Sequence, residues 1–180
     1  MGSRSCPTPP SPIARRSTSF LVPGGAGINP LLEDTDVLAF VPRAASEARY
    51  VVGICTSSLV LGAAGLLRGK RAGTHWMSRE LLAAFGAMPV AERIVVDGNL
   101  FTGGGVTADI DVALAVAAEI AGRPAAEAIQ LAIEYDPASS CAAGSPETAD
   151  PAVVAQVYEW AAAHRSERAE RVAHAAKRLR

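Results

Sequence analysis

The stretch "VVGICTSSLVLGAAGLL", Val51 to Leu67, decides how the rest of the chain is read. It begins inside "RYVVGI", a β-branched run without polar alternation, the pattern of a strand covered on both faces. "TSSLVLGAAGLL" follows at once and predicts a helix from Thr56 to Leu67, ended by Gly69. Cys55 therefore stands where a strand hands over to a helix. A side chain on such a sharp strand–turn–helix junction is lifted above the sheet edge, and the free N–H groups of the first helical turn point at the same spot. The helix N-terminus favours negative charge, so the position is expected to lower the thiol pKa and populate the reactive thiolate. A buried structural cysteine is the plain alternative, since free Cys is often buried.

Working outward, "FLVPGG" predicts a short buried strand over Phe20–Val22, released by Gly24 and Gly25 into a loop. Asn29-Pro30 reads as N-cap and first helical position of a helix reaching about Ala48 and broken near Pro42. "RAGTHW" predicts a strand, "SRELLAAFGA" a helix capped by Ser78, and "RIVVDGNLFT" a hairpin about Asp97-Gly98. A glycine loop leads into a helix from about Thr107 that ends before Gly122. Pro124 opens another that stops at Asp136-Pro137, and a last helix starts at Pro151. Strands alternating with helices predict an α/β fold with a mainly parallel sheet.

The 180 residues suffice for one domain with a real core. Residues 1–19, rich in Pro, Ser and Arg, read as a disordered segment, 20–163 as the folded domain and 164–180 as a basic, solvated helix end. The formal charge of −1 gives no whole-chain field toward nucleic acid or a membrane surface. No apolar run approaches the roughly 18–20 residues that span a bilayer. Three cysteines without regular spacing argue for a reducing cytoplasm rather than a disulfide framework. Cys6 and Cys141 lack the junction context of Cys55 and read as incidental thiols.

If the strands are parallel, their C-termini converge on one edge, where ligands bind. A Gly24-Gly25 backbone just past the first strand can approach a ligand closely there. The N–H of Gly25 and that of Thr56 form an expected oxyanion-type donor pair, against the plainer reading of a tight turn. His75, in "THW", is a candidate for proton transfer or, more simply, a structural histidine. Asp109 and Asp111 fall in the first turn of a helix, where the dipole stabilises carboxylates, and this bland role is preferred. His75, His164 and His174 have no metal-ligand spacing, so no metal is expected.

"LVPGGAG", "ARYVVGICTSSLVLGAAGLLRGKRAGTHW", "VVDGNLFTGGGVTADIDVALAVAAEIAG" and "AIQLAIEYDP" occur in this order and spacing. Together they resemble the ThiJ/PfpI superfamily, most closely its isonitrile hydratase branch, over about residues 20 to 160. The resemblance implies a flavodoxin-like three-layer α/β sandwich, a small-molecule substrate, a homodimer and no cofactor. It also implies addition of water to an isonitrile, with Cys55 as nucleophile, Thr56 as the adjacent hydroxyl residue, and Gly25, Thr56 and His75 about the pocket. Relatives carry a further βαβ-type region ahead of "LVPGG", with an acidic residue beside the cysteine; here the Pro/Ser/Arg segment stands in its place. Glu33, Asp34 and Asp36 do not align with that acid, so the general acid/base is unassigned and turnover is expected to be impaired. Two alternatives stay open: a non-catalytic redox or ligand-sensing module, and another cysteine-dependent enzyme of amidase or glyoxalase type.

Overall fold

The computed structural model describes residues 19–179; the expected disordered segment and Cys6 lie outside them, apart from Ser19. In chain order the elements are β1 (Ser19–Val22), α1 (Ile28–Leu31), α2 (Thr35–Glu47), β2 (Tyr50–Gly53), a 3-10 turn (Cys55–Ser57) and α3 (Ser58–Ala63). Next come β3 (Arg71–Ala72), a 3-10 run (Trp76–Phe85), β4 (Met88–Pro89), β5 (Ile94–Asp97) and β6 (Leu100–Gly103). Four helices close the chain: α4 (Ala108–Ala121), α5 (Arg123–Ala132), α6 (Pro151–Trp160) and α7 (Ala162–Lys177).

The main sheet has the order β1-β2-β6-β5. β1 and β6 both run parallel to β2, with Phe20 opposite Val51 and Val52 opposite Phe101. β5 and β6 form the expected hairpin about Asp97-Gly98, with Gly98 at φ +65°. Side chains alternate along β2 and supply two cores. Val51 joins Leu59, Leu61, Leu82, Phe85 and Val172 on one face, while Tyr50, Val52 and Ile54 join Phe101, Val112 and Val116 on the other. The sheet is thus covered on both faces by helical layers, and β2, buried at every residue, is the strand that delivers Cys55. This is the mixed, mostly parallel α/β sandwich expected from the sequence.

Several local expectations are corrected. The helix expected to break near Pro42 breaks earlier, between α1 and α2. Asp34 Oδ1 accepts the N–H groups of Asp36 and Val37, each at 3.0 Å, and this strong cap starts α2 afresh with Pro42 inside it. Asn29 is not a cap but a buried residue of α1. The helix expected from Thr56 to Leu67 is α only over Ser58–Ala63. "RAGTHW" is strand only at Arg71–Ala72. Beyond that Thr74 leaves the sheet and donates its hydroxyl to the Cys55 carbonyl at 2.6 Å. The following run is capped by His75, whose Nδ1 accepts the Met77 N–H at 3.4 Å, and not by Ser78. The helix after Gly122 ends at Ala132, ahead of Asp136-Pro137, and the last helix is two, parted at Ala161.

The basic C-terminal segment is not a solvated end. In α7, Arg168, Val172, Ala175 and Ala176 are buried, a stripe at helical spacing that packs on α1, α3 and the 76–85 run. Polar residues on its other face disguised that stripe in the sequence.

Among the described residues β1 lies at one edge of the main sheet, with Leu21 50% and nearby Phe40 52% exposed. An apolar edge strand is a template for unwanted pairing, and a lysine there is a common remedy. Leu21→Lys should therefore lower the aggregated fraction seen by light scattering without lowering the melting temperature. An unchanged aggregated fraction would show that association runs through another surface.

Candidate active site

Three loops meet at the C-terminal ends of β1, β2 and β6, and Cys55 lies among them. Its backbone has φ +57°, one of two positive-φ non-glycine residues among the described ones. An L-residue held there stores about 1–3 kcal/mol of strain that the surroundings must over-determine, a condition that clusters at active sites. The surroundings here do so. The Ile54 N–H bonds to Val22 O across β1–β2, and the fully buried Ser57 hydroxyl bonds to Val22 O (2.6 Å) and Ile54 O (2.8 Å). Thr74 pins the Cys55 carbonyl itself.

Gly24 lies so close that a Cβ built on it would stand 2.7 Å from Cys55 Cβ, 2.7 Å from Ile54 O and 3.0 Å from Thr56 N. The next residue, Gly25 at φ +115°, exchanges two hydrogen bonds with Thr56. The Gly25 N–H donates to Thr56 Oγ1 at 3.1 Å, and that hydroxyl donates to Gly25 O at 3.2 Å. The Gly25 N–H is therefore engaged with the threonine, not free as one half of a donor pair. Thr56 fixes the glycine loop, and its own N–H and hydroxyl both pull on the sulfur.

The thiol is not activated as expected. Burial pushes the Cys55 pKa above its ordinary value, and the negative charge of Asp109 pushes the same way. The Thr56 N–H and hydroxyl and the Arg168 guanidinium pull it down by less. The helix behind the sulfur is too short to offset this: α3 has six residues and begins with a 3-10 turn, so few dipoles align on the thiol. At neutral pH Cys55 is a buried thiol that keeps its proton.

His75 caps the 76–85 run, stacks on Trp76 with centroids 5.9 Å apart, and lies against Gly105. Burial first, and then the Arg168 cation, hold it below its ordinary pKa, so the ring is neutral at pH 7. Its side-chain hydrogen bond goes to the Met77 backbone rather than to Cys55, which is the structural role foreseen as the plainer one. The two helix-start aspartates part company. Asp111 takes the Tyr135 hydroxyl at 3.1 Å and pairs with Arg93. Asp109 Oδ1 is buried without a hydrogen-bond partner, and burial raises its pKa. Asp109 is thus the carboxyl within electrostatic reach of Cys55 that sequence reasoning set aside. Arg168, from the segment read as solvated, is the second such residue. No group of His, Cys, Asp and Glu side chains among the described residues could hold a metal ion, and Cys141 is exposed.

A strained cysteine on a strand-to-helix turn, braced by a glycine loop from the neighbouring parallel strand, stands at the C-terminal edge of a mostly parallel α/β sheet. Residues 16–119 match the DJ-1/PfpI family, and the chain belongs to that family. It is 53% identical to isonitrile hydratase of Pseudomonas putida over 158 residues, 88% of this chain and 69% of that protein. It is 33% identical to the HTH-type transcriptional regulator GbdR of Pseudomonas aeruginosa, over 64% of this chain but 32% of the regulator. The crystal structure of a ThiJ/PfpI family protein from Pseudomonas syringae superposes with a TM-score of 0.82 at 40% identity, covering 90% of this chain and 66% of that one. No helix among the described residues is long and apolar enough to cross a membrane.

Proposed function

We propose that this chain adds water to an isonitrile, giving an N-substituted formamide, with Cys55 as the nucleophile. What carries the reading is the strained junction at Cys55 in a chain 53% identical to an isonitrile hydratase. An isonitrile carbon accepts both a nucleophile and a proton, and a buried thiol that keeps its proton brings both. The Cys55 S–H bond breaks with the proton passing to Asp109, the sulfur bonds to the isonitrile carbon, and Asp109 returns the proton to that carbon. The product of this half is a thioformimidate, R–N=CH–S–Cys55. Water then adds to the same carbon, its proton going to nitrogen by way of Asp109. The C–S bond breaks as the formamide leaves and Cys55 recovers its proton. Water and the isonitrile supply every atom of the product.

The acidic residue that the resemblance places ahead of the glycine loop has no counterpart hydrogen-bonded to Cys55 among the described residues. Asp109 is assigned proton transfer because its buried Oδ1 has no hydrogen-bond partner and burial raises its pKa. Asp109→Asn should cut formamide production from cyclohexyl isocyanide by about 10²-fold or more, the usual loss on removing a positioned acid or base. The same change removes a charge that raises the Cys55 pKa. The variant thiol should therefore alkylate faster at neutral pH while turning over more slowly. Equal turnover in both forms would remove Asp109 from the mechanism, and no formamide from the parent chain would remove the proposed activity.

A redox-sensing role fits less well, because sensor thiols are exposed and low in pKa, whereas Cys55 is buried and raised. We take the working form to be a cytoplasmic homodimer, the commonest symmetric assembly.

A further inference from the structure

We propose that Arg168 is a positioning residue of the cysteine site, tying α1 to the 76–85 run through a fork of hydrogen bonds and holding an unpaired cation within electrostatic reach of the sulfur. Its Nε donates to Asn29 Oδ1 at 3.0 Å and its Nη1 to Ser78 Oγ at 3.1 Å. All three side chains are buried, with Arg168 only 8% exposed. Asn29 follows the glycine loop that braces Cys55, and Ser78 follows Thr74 and His75, which close the site from the other side. One guanidinium therefore ties the helix after the glycine loop to the run after Thr74 and His75.

The charge is the unusual part. A buried cation without a carboxylate is costly, and arginine in such a place is normally ion-paired. The charged groups on the surrounding elements are engaged elsewhere. Glu33 is taken by Arg171 and His174, Glu167 by Arg171 and the Asn29 amide, and Arg79 by Glu147. Arg165 lies over the Tyr158 ring at 4.0 Å. Arg168 makes no ion pair among the described residues. Besides Glu167, its field reaches Cys55, where it favours the anion against burial and Asp109, and His75, where it favours the neutral ring. When the thiol gives up its proton, and again when sulfur leaves with the electron pair of the C–S bond, Arg168 stabilises the negative sulfur.

The inference rests on reading Cys55 as the nucleophile, and its test is separable from turnover. In a chain carrying Cys6→Ser and Cys141→Ser, iodoacetamide reports on Cys55 alone, and its rate against pH gives the thiol midpoint. Arg168→Met retains length and bulk while removing the charge and the fork. It should raise the midpoint by about half a unit and slow alkylation at pH 7 about threefold, a pKa unit being tenfold in thiolate. Arg168→Lys should fall between the two. A folded Arg168→Met protein with an unchanged midpoint would overturn the proposal. Should that variant not fold, Ser78→Ala reads the same quantity with the charge retained: a smaller upward shift supports the proposal and an unchanged profile overturns it. A parent Cys55 that resists alkylation at every pH would instead overturn the nucleophile assignment, and this inference with it.

Discussion

Replacing Cys55 by alanine should leave formamide production at or below about a thousandth of the parent rate, because the covalent route loses both its sulfur and its proton source. The loss should be chemical rather than structural. Alanine keeps the β-carbon and the strained φ of +57°, and the bonds from Ser57 and Thr74 go to backbone atoms that the substitution leaves in place. The melting temperature should therefore move little. Cys141→Ala, on an exposed loop, should change neither quantity. Formamide assays and thermal melts on the three proteins check this. Retained turnover in Cys55→Ala would place the chemistry outside the strand-to-helix junction.

Gly24→Ala should be the most damaging methyl group that can be added near the site. The new Cβ would meet Ile54 O and Thr56 N, which are backbone and cannot swing aside, as well as Cys55 Cβ. Relief requires the glycine loop to move off β2, breaking the paired bonds between Gly25 and Thr56. Overpacking of this kind costs about 1–3 kcal/mol, and a displacement near 1 Å at reacting groups is worth about 10²-fold in rate. The control is Gly27→Ala, where φ is −63° and nothing lies within 4 Å of the added carbon; stability and turnover should be unchanged. Matching melts and rates for the two variants would show that the close approach at Gly24 has no functional weight.

The readable part of this fold was written in local patterns. The unbroken apolar run of β2, the glycines after β1, the Asp97-Gly98 turn and the Gly122 stop each carry their structural meaning within a few residues, and all four are where the sequence places them. Cys55 was legible for the same reason. The less legible residues act at long range. Arg168 meets Asn29 across 139 positions, and in sequence it is one more arginine in a basic segment. The signal that does exist is its spacing: Arg168, Val172, Ala175 and Ala176 form a helical stripe, and a lone charge within such a stripe is either paired or functional. Asp109 and Asp111 look alike at a helix start, and only the position of Arg93 and Tyr135 separates the engaged one from the free one. The Cys55 pKa was misjudged for a related reason. Motif reasoning counts the helix dipole, while burial, which outweighs it here, depends on everything packed around the sulfur.

The claim at the centre of this account is a covalent bond between Cys55 sulfur and the isonitrile carbon. Brief exposure of the protein to cyclohexyl isocyanide, acid quenching and peptide mass mapping would read it directly. The predicted result is a species heavier by one isonitrile, located on the peptide bearing Cys55, rising and then decaying as formamide accumulates. Formamide appearing while Cys55 stays unmodified, or appearing at full rate after Cys55 has been blocked by alkylation, would contradict it.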